Sequence, residues 1–212
     1  IRYFCLSRGL GDVYKRQGIC LLFGSCTMQK STVQVNDKGT EWEWNKGTIV
    51  VKTPERPAGQ ESVIGLALPK MEVVRVGFVG LGMRGPGAVS RFTYIPGTQI
   101  VALCDYEKER AEKCQKYLKE ASLPKAAVYL GDKGYEELCK RDDIDLVYIA
   151  TDWLHHFPVA KCALENGKNV AIEVPSAMNL KECWELVDLS EKNRKHCMIL
   201  ENCCYDWFEM NT

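Results

Sequence analysis

Val73-Val74-Arg75-Val76-Gly77-Phe78-Val79-Gly80-Leu81-Gly82-Met83-Arg84-Gly85 joins a β-branched run of strand length to a glycine-rich turn. The turn has the spacing G-x-G-x-x-G, and Pro86 follows it where the first turn of a helix tolerates a residue without an N–H. Each glycine has a separate expected task. Gly80 allows the tight turn, Gly82 lets backbone approach a pyrophosphate, and Gly85 lets the helix pack close to the strand. The helix start then presents N–H groups and the positive end of its dipole to phosphate, with Met83 and Arg84 in the same loop.

Glycine-rich turns are common, so the next strand carries the argument. Thr98 to Cys104 reads as that strand and ends at Asp105, 20 residues past Gly85. An acid there accepts hydrogen bonds from the hydroxyls of the adenosine ribose and repels a 2′-phosphate, which favours NAD over NADP. Asp105 also suits a helix N-cap before Glu107 to Glu120. Arg84 could pair with a 2′-phosphate, but beside Asp105 it is expected to face the pyrophosphate; a solvated surface charge is its other reading.

Further along, Ala126 to Leu130 is predicted as a strand and Gly134 to Lys140 as a short helix. Asp145 to Ala150 is nearly continuous in apolar character, as a strand buried on both faces would be. Pro158 to Asn166 is predicted as the following helix, closed by Gly167. Asn169 to Glu173 is a strand, Leu180 to Asn193 a helix, and Cys197 to Leu200 a strand. This alternation predicts an α/β domain over 71–200, a Rossmann-type doubly wound parallel sheet that binds NAD. Sites in such sheets gather at the carboxyl ends of the strands, where Asp105, Trp153, Leu154, His155, His156, Glu173, Val174, Glu201 and Asn202 fall. Trp153 reads equally as packing or as a ring against nicotinamide. His156 is expected near the nicotinamide ribose, His155 is left open, and His196 is given no special role.

The 212 residues carry 28 Lys and Arg against 28 Asp and Glu, dispersed along the chain, so no basic stripe suggests a nucleic-acid partner. No apolar run approaches the roughly 20 residues of a membrane span. Eleven cysteines lack paired C-x-x-C spacing, so no metal site is expected. Cys104, Cys139, Cys162 and Cys183 read as packing residues, as do the adjacent Cys203 and Cys204.

Residues 1–17 include CLSRGLGDVYKRQ, which reads as a sequencing-adaptor artefact, with a signal-peptide n-region as its alternative. Residues 18–26, GICLLFGSC, resemble the end of a bacterial lipoprotein signal in which Cys26 would carry lipid. Residues 27–70 read as an N-terminal extension, beginning with a polar tether at Thr27 to Asn36. The expected location is therefore a bacterial cell envelope, with the cytoplasm as the alternative. The chain's end at Thr212, amid apolar and aromatic residues, is read as a truncation.

The segment from Gln60, QESVIGLALPKMEVVRVGFVGLGMRGPGAV, with TDWLHH, EVPSA and ENCCYDWFE, resembles glycoside hydrolase family 109. That family comprises NAD-dependent α-N-acetylgalactosaminidases within the glucose-fructose oxidoreductase and inositol dehydrogenase superfamily. The likeness spans about two thirds of the chain but only the amino-terminal part of the family's length. It implies a second, α+β substrate domain that starts at 201–212 and is mostly missing. In the wider superfamily the strand before the active site usually ends in Glu-Lys-Pro; Glu173-Val174-Pro175 departs from that pattern and agrees with the hydrolases.

The resemblance implies NAD contacts at Met83 and Arg84, Asp105, Trp153 to His156, Glu173 and Val174, and Asn202. It also implies a catalytic role for Tyr205 in proton transfer at the sugar; an aromatic core residue beside Trp207 and Phe208 is the other reading of that tyrosine. The implied substrate is an N-acetylgalactosaminide glycan, and the oligomeric state stays open, a homo-oligomer included. The rival functions are a sugar or cyclitol dehydrogenase of the same superfamily and a non-catalytic nucleotide-binding or sugar-sensing module.

Overall fold

The structure, a computed structural model, describes residues 34–35, 41–51, 53–202 and 207–211. The adaptor-like segment, the lipoprotein-like signal with Cys26, and Cys203, Cys204 and Tyr205 lie outside the described residues.

Six parallel strands form the main sheet: β4 (Val74–Val79), β5 (Thr98–Asp105), β6 (Ala127–Leu130), β7 (Leu146–Ile149), β8 (Asn169–Glu173) and β9 (Cys197–Leu200). Their order across the sheet is β6-β5-β4-β7-β8-β9. The chain therefore builds outward from β4 in one direction and then from β7 in the other, which is the Rossmann order with its switch point between β4 and β7. Helices α1 (Gly85–Phe92) and α2 (Lys108–Glu120) cover one face. Helices α3 (Gly134–Cys139), α4 (Trp153–Glu165) and α5 (Leu180–Asn193) cover the other. A short α6 (Trp207–Asn211) ends the described chain.

Both faces of the sheet are sealed by apolar side chains, as the near-continuous hydrophobic strands require. Val76, Phe78 and Leu103 pack with Ala88, Val89, Ala111, Cys114 and Leu118 beneath α1 and α2. Phe78 stacks on Tyr148 at 5.1 Å between ring centroids, and Phe92 of α1 meets Phe78 edge-on at 5.2 Å. On the opposite face Val147, Ile149 and Ile172 pack with Leu138, Val159, Leu164 and Leu186. Cys104, Cys114 and Cys139 are buried free thiols, Cys162 and Cys183 are half-buried ones, and Cys197 is buried in the core. Burial pushes the Cys104 thiol up to about 12, so it packs as a small hydrophobe.

Two features differ from the sequence expectation. The helix predicted to begin at Pro158 begins at Trp153, because the Asp152 side chain accepts hydrogen bonds from the backbone N–H groups of Leu154 and His155 and caps it there. Pro158 therefore lies inside the helix, and residues 153–156 form its first turn rather than a loop at the strand tip.

The N-terminal extension, to which the sequence reading assigned a tether at Thr27 to Asn36 and no strands, contains a three-stranded antiparallel sheet of β1 (Gln34–Val35), β2 (Glu41–Asn45) and β3 (Thr48–Val51). Lys46 and Gly47 both have positive φ in the β2–β3 turn, the backbone twist a two-residue hairpin needs. From residue 53 the extension follows α5. Arg56 donates two hydrogen bonds to the buried Glu191, at 3.0 and 3.1 Å, and Gln60 donates to Asp188 and Glu191. Val63 is buried in the same strap.

Candidate cofactor site

The carboxyl ends of β4, β5, β6 and β7 open onto a pocket of about 450 Å³. Its floor is the glycine turn. Gly80 has φ +89°, and a Cβ there would lie 2.5 Å from the backbone of Ala150 and Thr151. A Cβ on Gly85 would lie 2.1 Å from the Gly80 carbonyl oxygen, so α1 can approach β4 only with glycine at that position. Around Gly82 a Cβ would meet only Arg110, at 3.6 Å, which leaves the backbone open toward the pocket. The three expected tasks are thus distributed as a dinucleotide cradle requires. α1 starts without any side-chain cap, so its first N–H groups remain available to an anion. This geometry fits the pyrophosphate of NAD.

Asp105 is 6% exposed at the end of β5 and borders the pocket. Its Oδ2 accepts the Leu81 N–H at 2.6 Å, and its Oδ1 accepts the Glu107 N–H at 2.9 Å. The carboxylate therefore fastens the glycine turn to the start of α2. The N-cap of α2 itself is Glu107, which uses no side-chain bond, so Asp105 acts one step ahead of the cap. Arg110 completes the group, with Nη1 3.4 Å from Asp105 Oδ1.

The structure brings Gly80, Gly82, Met83, Asp105 and His155 around the pocket. Arg84, Gly85, Trp153, Leu154, His156, Glu173, Val174 and Asn202 are not in its lining. Gly85 acts through packing, as described. Arg84 is an exposed residue at the N-cap of α1; the cation beside Asp105 is Arg110, which the sequence reading missed. Its signal was a cation at the third position of the helix after Asp105, close enough to reach back to the strand end.

Of the two histidines, the one expected near the nicotinamide ribose is buried away from the pocket, and the one left open lines it. His155 lines the pocket, and its Nδ1 donates to Asp152 Oδ2 at 2.6 Å, which fixes the tautomer. Burial pushes the Asp152 carboxyl up, but the bonds from the His155 ring and from the Leu154 and His155 N–H groups outweigh it and hold it below its ordinary value. His156 is 1% exposed, with Nδ1 2.7 Å from the Pro175 oxygen and Nε2 3.2 Å from the Thr151 oxygen. Both ring nitrogens face carbonyls, so His156 joins the ends of β7 and β8 and offers neither nitrogen to a ligand. The helix start at Trp153 sets which of the two side chains turns inward.

At the end of β8, Glu173 accepts the Tyr148 hydroxyl at 3.0 Å. Burial, with Glu173 nearby, pushes the Tyr148 phenol up to about 12, so it remains a donor at neutral pH. Trp153 and Leu154 are exposed, 61% and 73%, and Asn202 is an exposed residue after β9. Among the described residues no group of His, Cys, Asp and Glu could hold a metal ion, and no helix is long and apolar enough to cross a membrane.

Comparison with known proteins agrees with this geometry. Residues 74–201 match the family described as "Oxidoreductase family, NAD-binding Rossmann fold". The chain is 79% identical over 195 residues to glycosyl hydrolase family 109 protein 4 of Phocaeicola vulgatus, covering 92% of this chain and 38% of that protein. It is 64% identical over 165 residues to glycosyl hydrolase family 109 protein 1 of Bacteroides thetaiotaomicron, covering 77% of this chain and 35% of that one. The chain thus spans well under half the length of these curated relatives. Among solved structures, myo-inositol dehydrogenase from Lactobacillus casei in complex with NAD(H) and myo-inositol is similar, with a TM-score of 0.56 and 28% identity over 64% of this chain and 38% of that one. Taken with the glycine cradle and the acid at the end of β5, these matches show that the chain belongs to the oxidoreductase family with an NAD-binding Rossmann fold.

Proposed function

We propose that the protein is a NAD-dependent glycosidase that releases terminal α-linked N-acetylgalactosamine by transient oxidation of the sugar. The observation that carries this reading is a conjunction: 79% identity to a protein named as a glycosyl hydrolase, over a chain whose described core is a nicotinamide-binding domain. A hydrolase has no net need of hydride transfer. The two are reconciled if hydride leaves the substrate and later returns, and NAD-dependent glycosidases are a recognised exception to the paired-carboxylate scheme.

When bound, the nicotinamide supplies reversible hydride exchange with C3 of the sugar. The resulting C3 ketone acidifies the C2 hydrogen, a base removes that proton, and the C1 substituent departs by elimination. Water then adds at C1, a proton returns to C2 and hydride returns to C3, so no net oxidation occurs. In this chain the glycine turn and the start of α1 hold the pyrophosphate, and Asp105 receives the adenosine ribose. Glu173, held by Tyr148, stands at the β8 edge toward the nicotinamide, and Tyr205 moves the C2 proton.

Turnover in heavy water tests the reading. Deuterium is expected at C2 of the released sugar, with slower exchange in Tyr205→Phe. Cleavage without C2 deuterium would overturn the mechanism, because direct displacement never breaks that C–H bond.

The likeness to myo-inositol dehydrogenase favours one second reading, a sugar or cyclitol dehydrogenase. Such an enzyme accumulates NADH stoichiometrically with product, whereas the glycosidase accumulates none. We further propose that Cys26 is lipidated and places the protein at the cell envelope. A fatty-acid label present in the native protein and absent from Cys26→Ala is the expected result; no label in either contradicts it.

A further inference from the structure

An acid at the end of the second Rossmann strand disfavours a 2′-phosphate in two ways: it repels the charge, and it asks for a hydroxyl donor. The charge effect is weakened here. The two oxygens of Asp105 already accept backbone N–H groups, from Leu81 and Glu107. The Arg110 guanidinium beside it offsets its charge, with side-chain exposures of 51% for Arg110 and 4% for Asp105. Arg110 also lies 3.6 Å from where a Cβ on Gly82 would stand, so it hangs between the pyrophosphate turn and the ribose acid.

We propose that Arg110 sets the choice between a 2′-hydroxyl and a 2′-phosphate at the adenosine end, and that it opens the site to NADP as well as NAD. One Arg110 N–H is engaged by Asp105, at a distance near the long end of the hydrogen-bond range. Four of its five donors remain for other partners. A guanidinium pairs with phosphate through charge and paired donors, and the half-exposed Arg110 holds Asp105 by a single long contact. Asp105 meanwhile stays anchored by its two backbone bonds, so the glycine turn keeps its shape whichever nucleotide is bound. This inference concerns binding alone and does not rest on the reaction proposed above.

Calorimetric titration of the full chain with NAD and with NADP, in separate experiments, tests it. The wild type is expected to bind both, with dissociation constants within about tenfold of each other. Arg110→Gln should weaken NADP on the order of tenfold or more while moving NAD less than about threefold. Arg110→Lys, which keeps the charge, should stay near the wild-type ratio. Thermal unfolding of each variant without nucleotide checks that it is folded. Failure of the wild type to bind NADP would overturn the proposal. So would an equal loss of both nucleotides in Arg110→Gln, or a loss of the wild-type ratio in Arg110→Lys.

Discussion

At the amino ends of the sheet, polar groups bond one another, whereas at the carboxyl ends they hold a loop and leave space. Arg75, near the start of β4, binds Asp145 through its backbone N–H, Nε and Nη2 at 2.9, 2.9 and 2.7 Å. The Asp145 carbonyl accepts both the backbone and the side-chain N–H of Asn169, whose own Oδ1 accepts the His196 N–H. Lys168 donates to the Arg141 carbonyl at the same edge. This is a closed brace from β4 through β7 and β8 to β9. At the opposite edge Asp105 bonds the Leu81 and Glu107 amides, and Gly80 and Gly85 stand where any side chain would collide. One end of the sheet is built for cohesion and the other for a ligand, as expected when sites form at strand carboxyl ends.

The harshest way to break this contrast is Gly85→Ala. Its Cβ would lie 2.1 Å from the Gly80 oxygen, so α1 must move off β4. Overpacking of this kind costs about 1–3 kcal/mol or more, and NAD binding should be lost. Gly82→Ala meets only the tip of Arg110 and should fold normally, yet its methyl stands where the pyrophosphate approaches, so NAD affinity should fall without loss of stability; unchanged affinity would contradict the cradle.

Asp105→Ala comes next. It removes the ribose acceptor and strips the Leu81 N–H of its partner, so affinity for NAD should fall about ten- to a hundredfold, equivalent to about 1.5–3 kcal/mol. Calorimetry reads the first effect and thermal unfolding the second. Unchanged affinity would remove Asp105 from the site.

The opposite edge should respond to acid rather than to nucleotide. Side-chain bonds from Arg75, reinforced by its backbone N–H, hold the Asp145 carboxyl below the ordinary carboxylate range. A carboxyl depressed in the folded state stabilises above its unfolded pKa, about 3.9, and that stability is lost as pH falls through the lower folded value. Asp145→Asn should therefore lower the melting temperature at neutral pH, flatten its fall below about pH 4, and leave NAD affinity unchanged. A change in affinity would mean that the two edges are coupled.

The smallest expected effect belongs to Tyr148→Phe, which removes the donor to Glu173 and should cost about 0.5–1.5 kcal/mol of stability. Ultraviolet titration of the wild type should show one tyrosine ionising near 12 that is absent from the variant.

The contrast between the edges was only partly legible in the sequence. The strand bounds, the glycine tasks and Asp105 were readable because each rests on local chemistry: a β-branched run, a turn that needs glycine, an acid at fixed spacing. The start of α4 was not, because Pro158 and Asp152 both mark a helix start and only the folded chain shows which one caps it. That ambiguity also hid which of His155 and His156 lines the pocket. The hairpin at 41–51 did carry a signal, in the alternation Glu41-Trp42-Glu43-Trp44 followed by Asn45-Lys46-Gly47. The strap held by Glu191 carried none, since Arg56 and Glu191 are 135 residues apart and nothing periodic links them.

Hydrogen exchange with and without saturating NAD tests the central claim, that this chain seats the dinucleotide at the carboxyl edge and reserves the amino edge for cohesion. Added protection is expected at residues 80–85, 105–110 and 151–155, with none at Arg75, Asp145, Asn169 or His196. Protection at the amino edge, or none at the glycine turn, would contradict the account.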